Sequence, residues 1–139
     1  MDKTFSIVKP DAVASGKAGK ILALLEENGF RIVALRMLKM SQSQAEGFYE
    51  VHKARPFYAG LVKFMTEGPV IVMALEREDA VKKLREVMGA TNPANAAEGT
   101  IRKLYAESIE RNAIHGSDAA ETAAVELRFF FSSVDLNQL

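Results

Sequence analysis

Apolar residues along this chain fall into blocks whose spacing switches between strand and helix periods. Residues 4–8 alternate and are rich in strand formers. They stop at Lys9-Pro10-Asp11, because proline cannot donate to a sheet ladder. Ile21, Leu22, Leu24 and Leu25 follow at helical spacing, with Asn28-Gly29 as a stop. The apolar and basic stretch 30–40 reads as a second strand. Ser41-Gln42-Ser43-Gln44 matches a capping box, and Ala45, Phe48, Tyr49 and His52 recur behind it on one helix. Arg55-Pro56-Phe57 interrupts that helix, and Leu61, Phe64 and Met65 mark a second short one. Gly68-Pro69 is a turn, and residues 70–75 form a buried strand. Asp79 then opens a helix carrying Ala80, Val81, Leu84, Val87 and Met88, closed by Gly89.

From 89 to 100 the chain is small and polar, and Asn92-Pro93 and Gly99 favour a functional loop over a helical turn. A short strand follows, then a helix over about 118–131 and a polar tail over 132–139. The order predicts an α+β (α/β) chain of ferredoxin-like, split βαβ plan. That means a four-stranded antiparallel sheet, covering helices and one loop insertion at the site. Residues 1–139 read as one domain, with no repeat or linker.

Composition narrows the function. The chain is 48% hydrophobic and 26% charged, ordinary for a soluble protein that can bury a core without staples. It has no cysteine, which excludes disulfides and thiolate chemistry, and its two histidines argue against a His-rich zinc site. Eighteen basic and eighteen acidic residues balance, so a broad basic surface for nucleic acid is not expected. No apolar run approaches a membrane span, and the N-terminus is not organised as a signal peptide, so the cytoplasm is the expected compartment.

One phosphate motif fails on inspection. Gly16-Lys17-Ala18-Gly19-Lys20-Ile21 has two residues between its glycines where a P-loop has four, and Ile21 stands where Ser or Thr is required. A basic turn at a helix start explains it better.

Asn112-Ala113-Ile114-His115-Gly116-Ser117-Asp118 is more informative. An imidazole precedes a glycine and a Ser-Asp pair that reads as a helix start, where backbone N–H groups attract anions. Such a histidine can be a nucleophile toward phosphate if its other ring nitrogen is held by an acceptor. A lone histidine more often simply packs. Glu126, eleven residues on, could fold back onto the ring, although spacing alone favours a solvated helix face. Lys9, Arg85 and Arg102 each read singly as surface charges. As a set with Tyr49, His52, Thr91 and Asn112 they would make the cradle of positive charge and donors that phosphoryl transfer requires.

At these residues the chain resembles the nucleoside diphosphate kinases, whose active-site signature matches residues 112–118. The resemblance extends over nearly the whole chain. It includes Ile7-Val8-Lys9-Pro10-Asp11, Arg55-Pro56-Phe57, Gly68-Pro69-Val70, Gly89-Ala90-Thr91-Asn92-Pro93 and Gly99-Thr100-Ile101-Arg102. It implies a ping-pong enzyme that moves the γ-phosphate of a nucleoside triphosphate to a nucleoside diphosphate through a phosphohistidine. Carried over, His115 is the nucleophile through Nδ1, and Glu126 orients its ring. Lys9 and Asn112 hold the sugar hydroxyls, with Lys9 also near the transferring phosphate, and Tyr49 positions His115. His52, Thr91, Arg85 and Arg102 bind phosphates. Phe57 stacks on the base, with Ile109 on its other face and Leu61 nearby. Mg²⁺ is the implied cofactor, carried by phosphate oxygens and water without a dedicated protein cage. The implied partners are nucleoside di- and triphosphates, ATP and GTP among them, ribo and deoxy. A homo-oligomer is also implied, a tetramer in preference to a hexamer.

Two departures from the family pattern stand out. Ala12 replaces a common glycine, and Glu98 replaces a proline found in some members; neither removes a catalytic group. Two other functions compete. A nucleotide-binding scaffold that has lost its chemistry is disfavoured by the intact His115, Lys9, Tyr49, Arg102 and Asn112. An RNA-recognition module of the same fold plan would carry aromatics within a Lys/Arg-Gly-Phe pattern, which is absent.

Overall fold

Strand β1 (Asp2–Val8) and strand β3 (Val70–Arg77) are almost continuously buried, as central strands covered on both faces must be. They pair antiparallel, with Phe5 opposite Ala74 and Ile7 opposite Val72. Strand β2 (Arg31–Leu38) lies outside β3, and the three-residue strand β4 (Ile114–Gly116) outside β1. The sheet order is β2-β3-β1-β4, and every pairing is antiparallel. The computed structural model describes residues 1–137.

The two-residue period of the strands sorts side chains onto two cores. Phe5 and Ile7 of β1, with Val70, Val72 and Ala74 of β3, face helices α3 (Gln42–Phe48), α4 (Tyr58–Met65) and α7 (Ala120–Phe130). Val8 of β1, with Ile71, Met73 and Leu75 of β3, faces the opposite layer. That layer holds α1 (Pro10–Ala14), α2 (Ala18–Glu27), α5 (Ala80–Met88) and α6 (Ile101–Tyr105). This is the expected ferredoxin-like plan. Because His115 pairs with Ile7 across the β1–β4 ladder, its side chain falls on the α3/α7 face.

Several expected boundaries move, each for a local reason. The chain does not merely stop at Lys9-Pro10-Asp11: Pro10 opens α1, where its missing N–H costs nothing. The helix expected to carry Tyr49 and His52 ends at Phe48, and His52 lies in a separate 3₁₀ turn, residues 50–52. The capping box before it is intact, with Ser41 Oγ accepting from Gln44 N–H and Gln44 Oε1 from Ser41 N–H. Helix α6 was not expected after the 89–100 loop; Thr100 Oγ1 caps it by accepting from Lys103 N–H. Helix α7 starts at Ala120 rather than Asp118, because Thr122 Oγ1 accepts from Ala119 N–H. The tail expected to be irregular contains α8 (Ser133–Asn137), held by Asp135 accepting from Ser132 N–H. Gln138 and Leu139 of that tail lie outside the described residues.

One close approach fixes β4 against α5. A Cβ at Gly116 would lie 2.5 Å from Met88 Sδ and 2.9 Å from Leu84 Cδ2, inside contact distance. Replacing Gly116 by Ala should therefore force α5 away from β4 and destabilise the protein by about 1–3 kcal/mol, the usual cost of overpacking. Denaturant unfolding measures this; an unchanged midpoint would mean that the two side chains give way freely.

Candidate active site

His115 is the middle residue of β4, and Ser6 Oγ donates to its carbonyl at 2.7 Å. The imidazole is thus set by a strand, not by a turn before a helix as the sequence suggested. Its partner is Glu126, on the second turn of α7: Nε2 and Oε1 are 2.8 Å apart. Ser117 Oγ donates to the same carboxylate oxygen at 2.7 Å. Since a carboxylate only accepts, Nε2 must carry the proton, which leaves the lone pair on Nδ1. Phe48 and Phe5 meet the ring edge-on at 5.7 and 6.1 Å between centroids, so the plane is fixed by packing as well.

The cations are positioned largely by backbone carbonyls. Arg102 is buried, and its Nη2 donates to Ile114 O at 2.8 Å while Nη1 donates to Gly89 O at 3.2 Å. Burial, then the nearby Arg85 charge, lowers its pKa to about 10, so it stays cationic at neutral pH. Arg85 Nη1 donates to Gly116 O at 3.3 Å and lies 4.0 Å from Asp118. Both guanidinium groups are therefore tied to residues flanking His115.

Lys9 and Asn112 form a clamp, with Lys9 Nζ donating to Asn112 Oδ1 at 2.8 Å in a buried setting. Burial and the Arg102 charge lower the Lys9 pKa to about 8, against an upward pull from Asp11. The Tyr49 phenol is buried, and burial and then the Glu126 charge raise its pKa, so it remains a neutral donor. Tyr49 Oη and Arg102 Nε are buried with no hydrogen-bond partner among the described residues.

A cleft of about 670 Å³ opens beside Lys9, walled by Phe57, Leu61, Phe64, Thr91 and Ile109. Phe57 and Ile109, 48% and 49% exposed, give this cleft an apolar, solvent-open wall. A chain of rings joins this cleft to His115. His115 meets Phe48, Phe48 meets Tyr49 at 4.9 Å, Tyr49 lies 6.5 Å from His52, and His52 lies 5.4 Å from Phe57. Of the predicted site residues, Lys9, Phe57, Leu61, Thr91 and Ile109 line the cleft, Tyr49 and His52 lie along the ring chain to His115, Asn112 pairs with Lys9, and Arg85 and Arg102 bond to residues beside His115.

Three contributors were not anticipated. Ser117 was read as a helix start but is buried and bonded to Glu126; its place between His115 and Glu126 was the available signal. Asp11 was read as part of a strand stop but lies buried beside the clamp. Glu110 lines the cleft, and nothing in its sequence context marks it.

A family model, nucleoside diphosphate kinase, matches residues 2–136. A nucleoside diphosphate kinase from Azorhizobium caulinodans is 60% identical, over 98% of this chain and 97% of that protein. One from Oleidesulfovibrio alaskensis is 53% identical over 97% of each. The solved nucleoside diphosphate kinase of Aquifex aeolicus superposes with a TM-score of 0.95 at 43% identity, covering 96% of this chain and 97% of the other. With this likeness over its full fold and the wired histidine at its centre, the chain belongs to the nucleoside diphosphate kinase family.

Proposed function

We propose that this enzyme transfers the γ-phosphoryl group of a nucleoside triphosphate to a nucleoside diphosphate in two half-reactions through phosphohistidine at His115. The observation that carries the mechanism is the 2.8 Å contact between Glu126 and Nε2, which assigns the lone pair to Nδ1. In the first half-reaction Nδ1 attacks the γ-phosphorus. The N–P bond forms as the bridging P–O bond breaks, and the nucleoside diphosphate leaves with the oxygen. In the second, a terminal oxygen of another diphosphate attacks that phosphorus and returns the electron pair to Nδ1. The ring gains positive charge in between, and the Glu126 carboxylate stabilises it.

Phosphoryl transfer is catalysed chiefly by positioning and by neutralising spread negative charge. Arg102, Arg85, His52 and Thr91 take the phosphates in this reading. Lys9 serves both the sugar and the transferring group, and the neutral Tyr49 phenol positions the histidine. Phe57 and Ile109 sandwich the base, with Leu61 beside them, and an aromatic face gives affinity without base readout. Lys9 and Asn112 take the sugar hydroxyls, so both ribo and deoxy nucleotides with a 3′-hydroxyl fit. Mg²⁺ belongs to the proposal. The ion would be held by phosphate oxygens and water. When bound there, it would neutralise phosphate charge.

The proposal extends to a homo-oligomer, a tetramer in preference to a hexamer, whose size light scattering measures. The unpaired edge of β2, with Leu35 and Met37 47% and 55% exposed, supports self-association. No helix among the described residues is long and apolar enough to cross a membrane. We place the enzyme in the cytoplasm, with its triphosphate pool, and assign it no primary nucleic-acid role.

Brief exposure to γ-labelled ATP should yield an acid-labile protein phosphate that His115→Ala abolishes without unfolding the chain. Label retained in that variant would refute the covalent step. Glu126→Gln should slow single-turnover phosphorylation by roughly 10²–10⁴-fold, the range for losing a group that tunes a catalytic imidazole. Nucleotide binding should persist; an unchanged rate would reduce Glu126 to a packing role.

A further inference from the structure

Both backbone polar groups of one buried residue, Ala113, are held from the β1–α1 junction. Asp11 Oδ2 accepts from Ala113 N–H at 3.0 Å, and Lys9 N–H donates to Ala113 O at 2.8 Å. Ala113 is fully buried and sits in the left-handed region with φ of 76°. A residue with a Cβ is strained there unless its surroundings hold it. It is also the residue between Asn112, whose side chain receives Lys9 Nζ, and β4, which carries His115. The direction in which Asn112 leaves the strand therefore depends on this one peptide conformation.

Asp11 itself is 4% exposed. Its other oxygen, Oδ1, has no hydrogen-bond partner among the described residues, so the Ala113 N–H is the bond for which the carboxylate is oriented. It does not cap its own helix: α1 has no side-chain cap at its start. Burying a carboxylate with one donor is costly, and Lys9 and Arg111 are cations whose charge it supports.

We propose that Asp11 is a positioning residue for the nucleotide sugar: by holding the left-handed Ala113 peptide it sets Asn112 against Lys9 as a clamp for the 3′-hydroxyl. This rests on the reading of Lys9 and Asn112 as the sugar contacts. Asp11 acts through them and touches no substrate.

The test compares wild type, Asp11→Asn and Asp11→Ala at about pH 6.5, below the Lys9 pKa of about 8, where the ammonium is retained. Asparagine keeps an oxygen that can accept from Ala113 N–H, whereas alanine does not. Two quantities are measured: hydrogen exchange at the Ala113 amide, and kcat/KM for ADP relative to 3′-deoxy-ADP. With Asp11→Ala, protection at Ala113 should be lost and kcat/KM for ADP should fall by roughly 10²-fold, the cost of a displaced positioning group. The value for 3′-deoxy-ADP should change little, so the preference for the hydroxyl collapses. Asp11→Asn should keep the protection and most of the preference. Equal losses on both substrates, or an unchanged preference in the alanine variant, overturn the proposal. If Asp11→Ala does not fold, Asp11→Ser, one bond too short to reach the amide, is judged by the same outcomes. A wild type indifferent to the missing hydroxyl refutes the sugar reading and the clamp with it, while the Ala113 amide separately reports whether the pin exists.

Discussion

A single hydrogen bond, from the His115 imidazole to the Glu126 carboxylate, is the constraint on which the chemistry depends. Charge-assisted bonds of this kind contribute about 1.5–3 kcal/mol, enough to select one tautomer over the other by more than tenfold. The bond requires agreement between distant parts of the chain. The β1–β4 register turns His115 toward the α3/α7 face, and Thr122 begins α7 where Glu126 can reach back. Ser117 occupies one approach to the carboxylate, and Phe48 and Phe5 bound the ring. The fold serves as a device for presenting Nδ1 with its lone pair free.

Around that nitrogen the protein assembles positive charge in a partly buried setting. Arg102 is bound to the carbonyls of Ile114 and Gly89 and pairs with no carboxylate among the described residues, whereas Arg85 is bound to the carbonyl of Gly116 and also lies 4.0 Å from Asp118. Burial lowers the pKa values of Arg102 and Lys9 because a cation there has lost water. In the proposed reading, a polyphosphate would supply the missing counter-charge and be held more strongly for the same reason. The close contact at Gly116 keeps α5, and with it Arg85, against the strand that carries His115.

Much of this was legible in the chain. The strands, the four longer helices and the ferredoxin-like order follow from apolar spacing and from Gly and Pro stops. The 89–100 segment departs from its expected form: residues 93–95 make a 3₁₀ turn, started by Asn92 Oδ1 accepting from Ala94 N–H, where a loop without a helical turn was expected. The candidate site residues were singled out mainly through the match of residues 112–118 to a known signature. Physical reasoning alone left Glu126 as a solvated helix face, because eleven residues spanning a strand end, a turn and a helix do not determine a distance. Short helices escaped for a related reason. Five residues in α1 or α6 are too few for a periodic pattern, and they form because Pro10 or Thr100 starts them and neighbours bury them. Asp11 and Ser117 were hidden by plausible local roles, a strand stop and a helix start, when each side chain is committed to a partner distant in sequence or across the site.

The state of the imidazole is open to direct observation. Histidine labelled with ¹⁵N and a multiple-bond ¹H–¹⁵N spectrum at neutral pH report which ring nitrogen of His115 carries the proton, and His52, the only other histidine, is assigned with one variant. A ring held by Glu126 has its proton on Nε2 and a bare Nδ1. A proton on Nδ1 would contradict the wiring from Glu126 to His115.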